Sequence, residues 1–333
     1  MRFLYHNSHR RELLLYLYIC IMCVVSMVFI GGLTRLTGSG LSITEWKPIT
    51  GVIPPFSEPE WIIEFEKYKI SPEFIHINNQ ISLENFKFLY LVEFFHRIAA
   101  RITGLIFLIP AIILWSKDML PNRTKYTLTF VLIIGIFQGL MGWYMVKSGL
   151  KDSPYVSHFR LSFHLCLALI IYMLLVNEAV NTYLEQYKFS TLNYKWNIII
   201  ILLFLQIFLG GLVAGLDAGK IYNQFPLMGD GLVPTEFNIL RTEEYLHNAA
   251  STQFFHRMLA VIIVMLIFFR CIKLFSKGYY FASMILFVSI LAQFILGILT
   301  LINNVPIFYA SMHQIFAFLL TGLVLIVAKN DCH

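Results

Sequence analysis

Charged side chains are scarce in this sequence. Asp, Glu, Lys and Arg together make up 13% of its 333 residues, whereas a soluble domain carries about 25%. Hydrophobic residues make up 58% and aromatic residues 16%, which places the chain in the membrane class. A soluble function would have to explain repeated apolar runs of roughly 18 or more residues, and such runs are typical of membrane-spanning helices.

Cysteine is also rare, with five residues in the whole chain: Cys20, Cys23, Cys166, Cys271 and Cys332. The first four fall in or at the edge of apolar runs, and the fifth is at the C-terminal tip. None lies in a loop that we place outside the cell, so the sequence predicts no structural disulfide. Cys20 and Cys23 form a C-x-x-C without a second pair, which favours core packing over a metal or redox site.

No basic stripe and no nucleic-acid module accompany the net charge of +6, so nucleic acid is not an expected partner. A cleavable signal is also not expected, because the first apolar run, 13–33, is too long for one. Arg2, Arg10 and Arg11 precede that run and favour a cytoplasmic N-terminus. The lack of a Ser- and Arg-rich transit peptide favours the bacterial inner membrane over a mitochondrial one.

The apolar runs predict an all-α integral membrane protein with eight spanning helices. An even number of spans places both termini in the cytoplasm, and the Lys and Arg residues after the second, sixth and eighth runs agree with the positive-inside rule. The expected spans are 13–33, 88–115, 126–146, 158–177, 196–214, 251–271, 280–301 and 308–328. Two long outer loops, 34–87 and 215–250, contain aromatic and apolar residues and are expected to form ordered caps.

An internal repeat relates the two halves of the chain. Each half contains, in the same order, a Gly-Gly-Leu motif, a Phe-Phe-His-Arg motif, a glutamine near a glycine, and a helix with a histidine. The sequence therefore predicts two tandem four-helix bundles, residues 1–180 and 181–333. Because each unit has an even number of helices, the two copies share one orientation in the membrane.

Four histidines fall on the second, fourth, sixth and eighth predicted helices, each near the outer end: His96, His164, His256 and His313. Ionisable groups within spanning helices are costly and usually functional. Two imidazoles at equal depth on facing helices can bind one heme iron from both sides. The pattern therefore predicts two heme sites, one made by His96 with His164 and the other by His256 with His313.

Two arginines directly follow histidines, at Arg97 and Arg257, and could neutralise heme propionates. A single histidine on an apolar helix is more often a hydrogen-bonded core residue, but four at matched depth favour ligation. Zinc or copper is less favoured, because the histidines are not clustered and few carboxylates or thiolates accompany them. His158 has no counterpart in the repeat and is a weaker candidate, and His247 falls in an outer loop, where it is expected to be solvated.

The halves differ at one position, where Glu93 stands three residues before His96 and Gln253 stands three residues before His256. In a helix, residues three apart project on nearly the same face. A carboxylate beside a heme edge could accept a proton or stabilise positive charge, which predicts a reactive first half. The alternative interpretation of Glu93 is an i,i+4 ion pair with Arg97.

Taken together, these motifs resemble the heme A synthase family, in the form that lacks cysteines in the outer loops. The resemblance covers nearly the whole chain and is carried by residues 31–42, 93–97, 222–229 and 254–257 and by the His313 helix. It implies that the C8 methyl group of heme O is oxidised to a formyl group, giving heme A for cytochrome oxidase, with oxygen from water. By position, His96 and His164 would hold the substrate heme, Glu93 would assist, and His256 and His313 would hold heme b.

The resemblance also implies partners, namely a heme O synthase that supplies the substrate and a membrane electron acceptor, and a homo-oligomer is possible. Two rival functions stay open from the residues alone. A non-catalytic di-heme b electron carrier would need the histidines but not Glu93. A heme or lipid transporter would need no ligands at matched depth.

Overall fold

The computed structural model describes residues 2–48, 50–151, 153–185, 192–239 and 241–331. Cys332, one of the five cysteines, lies outside the described residues. The α-helices among the described residues are α1 (Arg2–Leu36), α2 (Glu58–Lys69), α3 (Pro72–His76), α4 (Leu83–Ser116), α5 (Asn122–Gly149), α6 (His158–Tyr183), α7 (Tyr194–Gly215), α8 (Ala249–Ser276), α9 (Tyr280–Ile302) and α10 (Ile307–Asp331). Three one-turn 3-10 helices, Ala218–Lys220, Thr235–Asn238 and Thr242–Glu244, lie between α7 and α8.

Eight of these helices are long and apolar enough to cross a membrane, namely α1 and α4 to α10. This confirms the predicted all-α fold with eight spanning helices. Large apolar side chains are exposed along them, including Phe137 on α5 and Met284 on α9, which are 57% and 69% exposed. So much exposed apolar surface is expected where lipid surrounds the protein.

The helices extend beyond the predicted apolar spans at most ends, and at the starts of α4 and α8 a capping side chain prolongs the helix into polar sequence. Ser82 accepts a hydrogen bond from the backbone N–H of Asn85, so α4 begins before the expected residue 88. Asn248 accepts from the backbone N–H groups of Ala250 and Ser251. Such side chains satisfy N–H groups that have no partner within the first turn of a helix.

Four helices form the centre of the bundle: α1, α6, α7 and α10. α1 packs against α4, α6 and α10, while α6 also packs against α5, α7 and α10. One buried cluster is built mainly from α1, α4, α5 and α6 and includes Leu17 and Leu169. A second comes from α7 to α10 and includes Ile267 and Leu286. The remaining long helices, α4, α5, α8 and α9, lie at the flanks.

Polar clusters join the helices at the end of the bundle remote from the four histidines. The buried Glu178 on α6 accepts hydrogen bonds from Thr124 and Thr127 on α5 and is paired with Arg123 at 3.0 Å. In the second half, Asp331 is paired with Arg270 and Lys277 at 2.5 and 2.6 Å. Hydrogen-bonded ion pairs of this kind keep buried charges satisfied.

Two folded segments cover the opposite end of the bundle, which we term the histidine end. The first cap, residues 37–82, contains α2 and α3 and packs Trp61 and Tyr68 against Phe86 and Tyr90 of α4. The second cap, 216–248, is held to α9 by a hydrogen bond of 2.9 Å from the Asn223 amide to the Leu301 carbonyl. Both segments thus form ordered caps on the bundle, as the sequence predicted, and in the second cap Phe237 stacks on Tyr245 with ring centroids 5.0 Å apart.

One carboxyl group of the first cap is buried. Glu73 is 7% exposed and accepts a hydrogen bond of 2.9 Å from the hydroxyl of Tyr68. Burial raises the pKa of Glu73 to about 7, although the Tyr68 hydrogen bond opposes this and the nearby Glu93 adds to it. Because burial disfavours the charged form, Glu73 is partly protonated near neutral pH.

Candidate functional site

A single cavity at the histidine end of the bundle is lined by all four predicted histidines. Its volume is about 1930 Å³, larger than the ~300–1,000 Å³ of an ordinary small-molecule pocket. Glu93, Arg97 and Arg257 also line it. The structure therefore brings every site residue predicted from the sequence to the same cavity, with room for more than one large ligand.

The geometry of the second histidine pair suits one metal ion. The imidazole rings of His256 on α8 and His313 on α10 lie with their centroids 6.5 Å apart and their planes at 77°. Two metal–nitrogen bonds of about 2.0 Å, plus the distance of about 1.2 Å from each nitrogen to its ring centroid, require about 6.4 Å. The residues present thus fit a six-coordinate heme iron between α8 and α10.

The first pair, His96 on α4 and His164 on α6, lines the same cavity. Nδ1 of His164 is buried and has no hydrogen-bond partner. A buried polar atom without a partner costs about 1–3 kcal/mol, so it is expected to mark a site that a ligand completes. This supports His164 as a binding residue.

Each of the four histidines packs against a glycine on the preceding long helix. A Cβ atom added at that glycine would lie close to Cε1 of the imidazole, at 3.6 Å for Gly31 and His96, 3.2 Å for Gly142 and His164, 3.2 Å for Gly210 and His256, and 2.9 Å for Gly297 and His313. An added Cβ would therefore displace the ring at Gly297 and crowd it at Gly142 and Gly210, whereas at Gly31 it would make an ordinary contact. The sequence marked Gly31, Gly210 and Gly297 as features of the repeat but did not reveal this contact.

The substitution Gly297→Ala is expected to lower the heme affinity of the second pair about tenfold or more. The added Cβ would lie 2.9 Å from Cε1 of His313, and overpacking of this kind costs about 1–3 kcal/mol. The measurement is the bound heme per purified chain at rising heme concentration. Val288→Ile adds one methyl group on the same helix at a residue that is 54% exposed, and unchanged affinity is expected. If Gly297→Ala and Val288→Ile bind heme with equal affinity, the contact between Gly297 and His313 does not control heme binding.

Glu93 is 3% exposed and all of its hydrogen bonds go to its own helix and the first cap. Its carboxylate accepts from the Ser42 hydroxyl at 2.7 Å and the Ile43 N–H at 2.9 Å. Arg97 donates to it at 2.6 and 3.1 Å. The ion pair between Glu93 and Arg97, which the sequence left as an alternative, is therefore present, and Glu93 fixes the cap to α4.

In the second half, Gln253 and Arg257 on α8 likewise bind the neighbouring cap, but the glutamine carries no charge. The Gln253 amide donates to the Tyr222 carbonyl at 3.2 Å. Arg257 donates to the carbonyls of Tyr222, Gln224 and Leu227 at 2.7, 3.1 and 3.1 Å. Both arginines thus bind the caps, and Arg257 keeps one buried donor, Nε, without a partner. That free donor is the group available for an anionic ligand.

The two halves differ in how tightly their flanking helices pack. α8 and α9 contact each other along their length, whereas α4 and α5 barely touch. Three glycines that line the cavity on these two helices, Gly104, Gly135 and Gly139, border open space. The first half is therefore open between its flanking helices, and the second half is closed.

Comparisons with known proteins agree on one family. The family model COX15-CtaA, described as cytochrome oxidase assembly protein, matches residues 14–325. The chain is 44% identical over 329 residues to the heme A synthase of Rickettsia felis, covering 93% of this chain and 95% of that protein. It is 43% identical over 328 residues to the heme A synthase of Rickettsia bellii, covering 95% and 97% of the two chains.

Proposed function

The chain belongs to the heme A synthase family, and from this membership we propose that it oxidises the C8 methyl group of heme O to the formyl group of heme A. The chain is thus an oxidoreductase of heme biosynthesis. The observation that supports the proposed chemistry is the cavity lined by two histidine pairs, with the His256 and His313 rings 6.5 Å apart. This arrangement suits two iron porphyrins in one protein.

The reaction that we propose takes its oxygen atom from water. Conversion of the methyl group and one water molecule to a formyl group releases four protons and four electrons. A heme b held by His256 and His313 would supply the one-electron redox chemistry that carries the electrons away, and a membrane electron acceptor would receive them. The protein must therefore hold the substrate, remove protons and exclude competing oxidants.

His96 and His164 are the residues that we propose to hold the substrate heme. The open side between α4 and α5 allows a large planar substrate to enter and the product to leave. Glu93 lies one helical turn before His96 and lines the cavity, which supports the proposal that its carboxylate accepts a proton. Ser42, Ile43 and Arg97 fix its position, and preorganised groups of this kind lower the cost of reorganisation during reaction.

His256 and His313 are the residues that we propose to hold the permanent heme b. The close packing of α8 against α9 suits a cofactor that stays bound. The free Nε of Arg257 is available to a propionate. We propose the same role for Arg97, although its Nε donates to Glu93 at 3.1 Å. A guanidinium and a carboxylate form strong charge-assisted hydrogen bonds.

We also propose how the chain is divided, oriented and partnered in the membrane. Residues 1–180 would form the substrate half and residues 181–333 the cofactor half, in the bacterial inner membrane with both termini in the cytoplasm. A heme O synthase would supply the substrate, and the chain could work as a homo-oligomer. The Lys and Arg residues at the ends opposite the histidines support this orientation.

Extracted hemes provide the test of this function. The full chain is co-expressed with a heme O synthase in a host that has no heme A synthase, and the porphyrins are identified by mass. We expect heme A only in cells that contain the chain, and heme O alone in cells that lack it. Heme O without heme A in both cultures, with heme bound to the purified chain, would favour the di-heme electron carrier instead.

A further inference from the structure

Three glutamines accompany three of the four histidines. Each stands four residues before the glycine that faces the histidine, so glutamine and glycine lie on the same side of the helix. The sets are Gln138 and Gly142 for His164, Gln206 and Gly210 for His256, and Gln293 and Gly297 for His313. The spacing is the same in both halves, although it was not recognised from the sequence.

In the second half, the glutamine amides touch both the imidazole and the backbone of the histidine. Nε2 of Gln206 donates to the His256 carbonyl at 3.1 Å and lies 3.2 Å from Nδ1 of the ring. Nε2 of Gln293 donates to the His313 carbonyl at 3.0 Å and lies 3.2 Å from Nδ1. The Gln293 carboxamide therefore lies against the ring nitrogen nearest to the histidine backbone. The Gln206 carboxamide lies between the two ring nitrogens of His256, 3.2 Å from Nδ1 and 3.3 Å from Nε2.

The other end of each carboxamide has no partner. The Oε1 atoms of Gln138, Gln206 and Gln293 are buried without a hydrogen bond, and all three residues line the cavity. Leaving a buried acceptor unsatisfied costs about 1–3 kcal/mol. Because the same side-chain oxygen lacks a hydrogen bond at three equivalent positions, we infer that it accepts one only when a ligand fills the cavity.

A histidine that binds a metal through one ring nitrogen carries its hydrogen on the other, and a hydrogen-bond acceptor there fixes the ring. We propose that Gln206 and Gln293 are positioning residues that accept this hydrogen from His256 and His313. A turn of the terminal amide about its last side-chain bond places Oε1 at Nδ1 and leaves Nε2 of the imidazole for iron. Gln138 differs, since its Nε2 lies 3.5 Å from Nε2 of His164 and not beside Nδ1. The inference rests on the heme sites of the proposed function.

His96 has no glutamine at the equivalent position. The residue four places before its glycine, Gly31, is Met27, which lines the same cavity. A thioether is only a weak acceptor, so Met27 offers the ring of His96 no acceptor as strong as a carboxamide. His96 is therefore the ligand that is released most easily, which suits the half in which we place the substrate.

The test compares two substitutions at each glutamine of the second half in the full purified chain. Leucine removes the acceptor, so Gln206→Leu and Gln293→Leu are expected to favour the reduced heme about tenfold, because supporting groups of this kind change ligand strength by about 10–100-fold. A tenfold change in this one-electron equilibrium is about 59 mV. Glutamate is a stronger acceptor, so Gln206→Glu and Gln293→Glu are expected to shift the potential in the opposite direction.

Gln314→Leu is the matched control. Gln314 follows His313 directly, but its amide donates to the Val28 carbonyl at 3.0 Å, so an unchanged potential is expected. Leucine and glutamate variants that shift the same way, or that match the control, would overturn the positioning role while leaving the proposed function intact. A wild-type chain that binds no six-coordinate heme would overturn both.

Heme transfer tests the role of Met27. The variant Met27→Gln restores the carboxamide on α1 and is expected to slow the loss of heme O to excess apomyoglobin about tenfold. Met22→Gln, on the same helix at a residue that is 62% exposed, is expected to leave the rate unchanged. Equal rates in Met27→Gln and the wild type would show that the residue at this position does not set the strength of the His96 ligand.

Discussion

Replacement of His256 by alanine is expected to abolish the six-coordinate heme spectrum of the second half. The ring lies 6.5 Å from that of His313, and its removal leaves one side of the iron without a protein ligand. His313→Ala is expected to have the same effect, and the double variant should be no worse than either single one, because the two residues act as a unit. The measurement is the absorption spectrum of the reduced, purified protein.

Two further measurements separate ligation from folding. Added imidazole is expected to occupy the space left in His256→Ala and to restore the six-coordinate spectrum. His158→Ala serves as the control, because His158 lies at the start of α6 beside His247, with ring centroids 5.2 Å apart, and its spectrum should equal that of the wild type. A six-coordinate heme that persists in both His256→Ala and His313→Ala would mean that the second site is assigned to the wrong residues.

Replacement of Glu93 by glutamine is expected to lower the conversion of heme O about a hundredfold or more, the range in which a lost proton acceptor acts. Substrate binding should be largely retained, because His96 and His164 are unchanged. The measurement is the ratio of heme A to heme O extracted from the purified chain. Accumulated heme O on the protein would show that chemistry, and not binding, has been lost.

The hydrogen bonds of Glu93 allow an anchoring role to be tested separately. Ser42→Ala removes the 2.7 Å donor from the same carboxylate but leaves the carboxylate itself and its pair with Arg97. If Glu93 acts on the substrate, Ser42→Ala should keep most of the conversion. A loss as large as that of Glu93→Gln would instead mean that both variants act through the first cap.

The fold was largely predictable because a lipid bilayer permits few kinds of backbone structure. Within hydrocarbon the backbone must satisfy its own hydrogen bonds, so each long apolar run becomes a helix, as α7 and α9 show. The helix ends were less predictable, since α4 begins where Ser82 caps it and not where the apolar sequence begins. The ion pairs of Glu178 and Asp331 were also missed, because their partners come from distant parts of the chain.

The sequence predicted those site residues whose side chains are unfavourable inside a membrane. It missed the site residues that are small or uncharged. Histidines and arginines in apolar helices stand out because membranes rarely tolerate them. Gln293 and Gly297 were noted only as a feature of the internal repeat, and their contact with His313 was missed because glycine and glutamine have many roles. The hydrogen bonds from Arg257 to the second cap were also missed, because the carbonyls they reach lie some 30 residues before it in the chain.

The most direct test of the account is the analysis of hemes from cells that carry the double variant His96→Ala and His164→Ala together with a heme O synthase. The account predicts that heme B stays bound to the purified chain while heme O accumulates and no heme A forms. Heme A at the wild-type level in this variant would contradict the assignment of the chemistry to the first histidine pair.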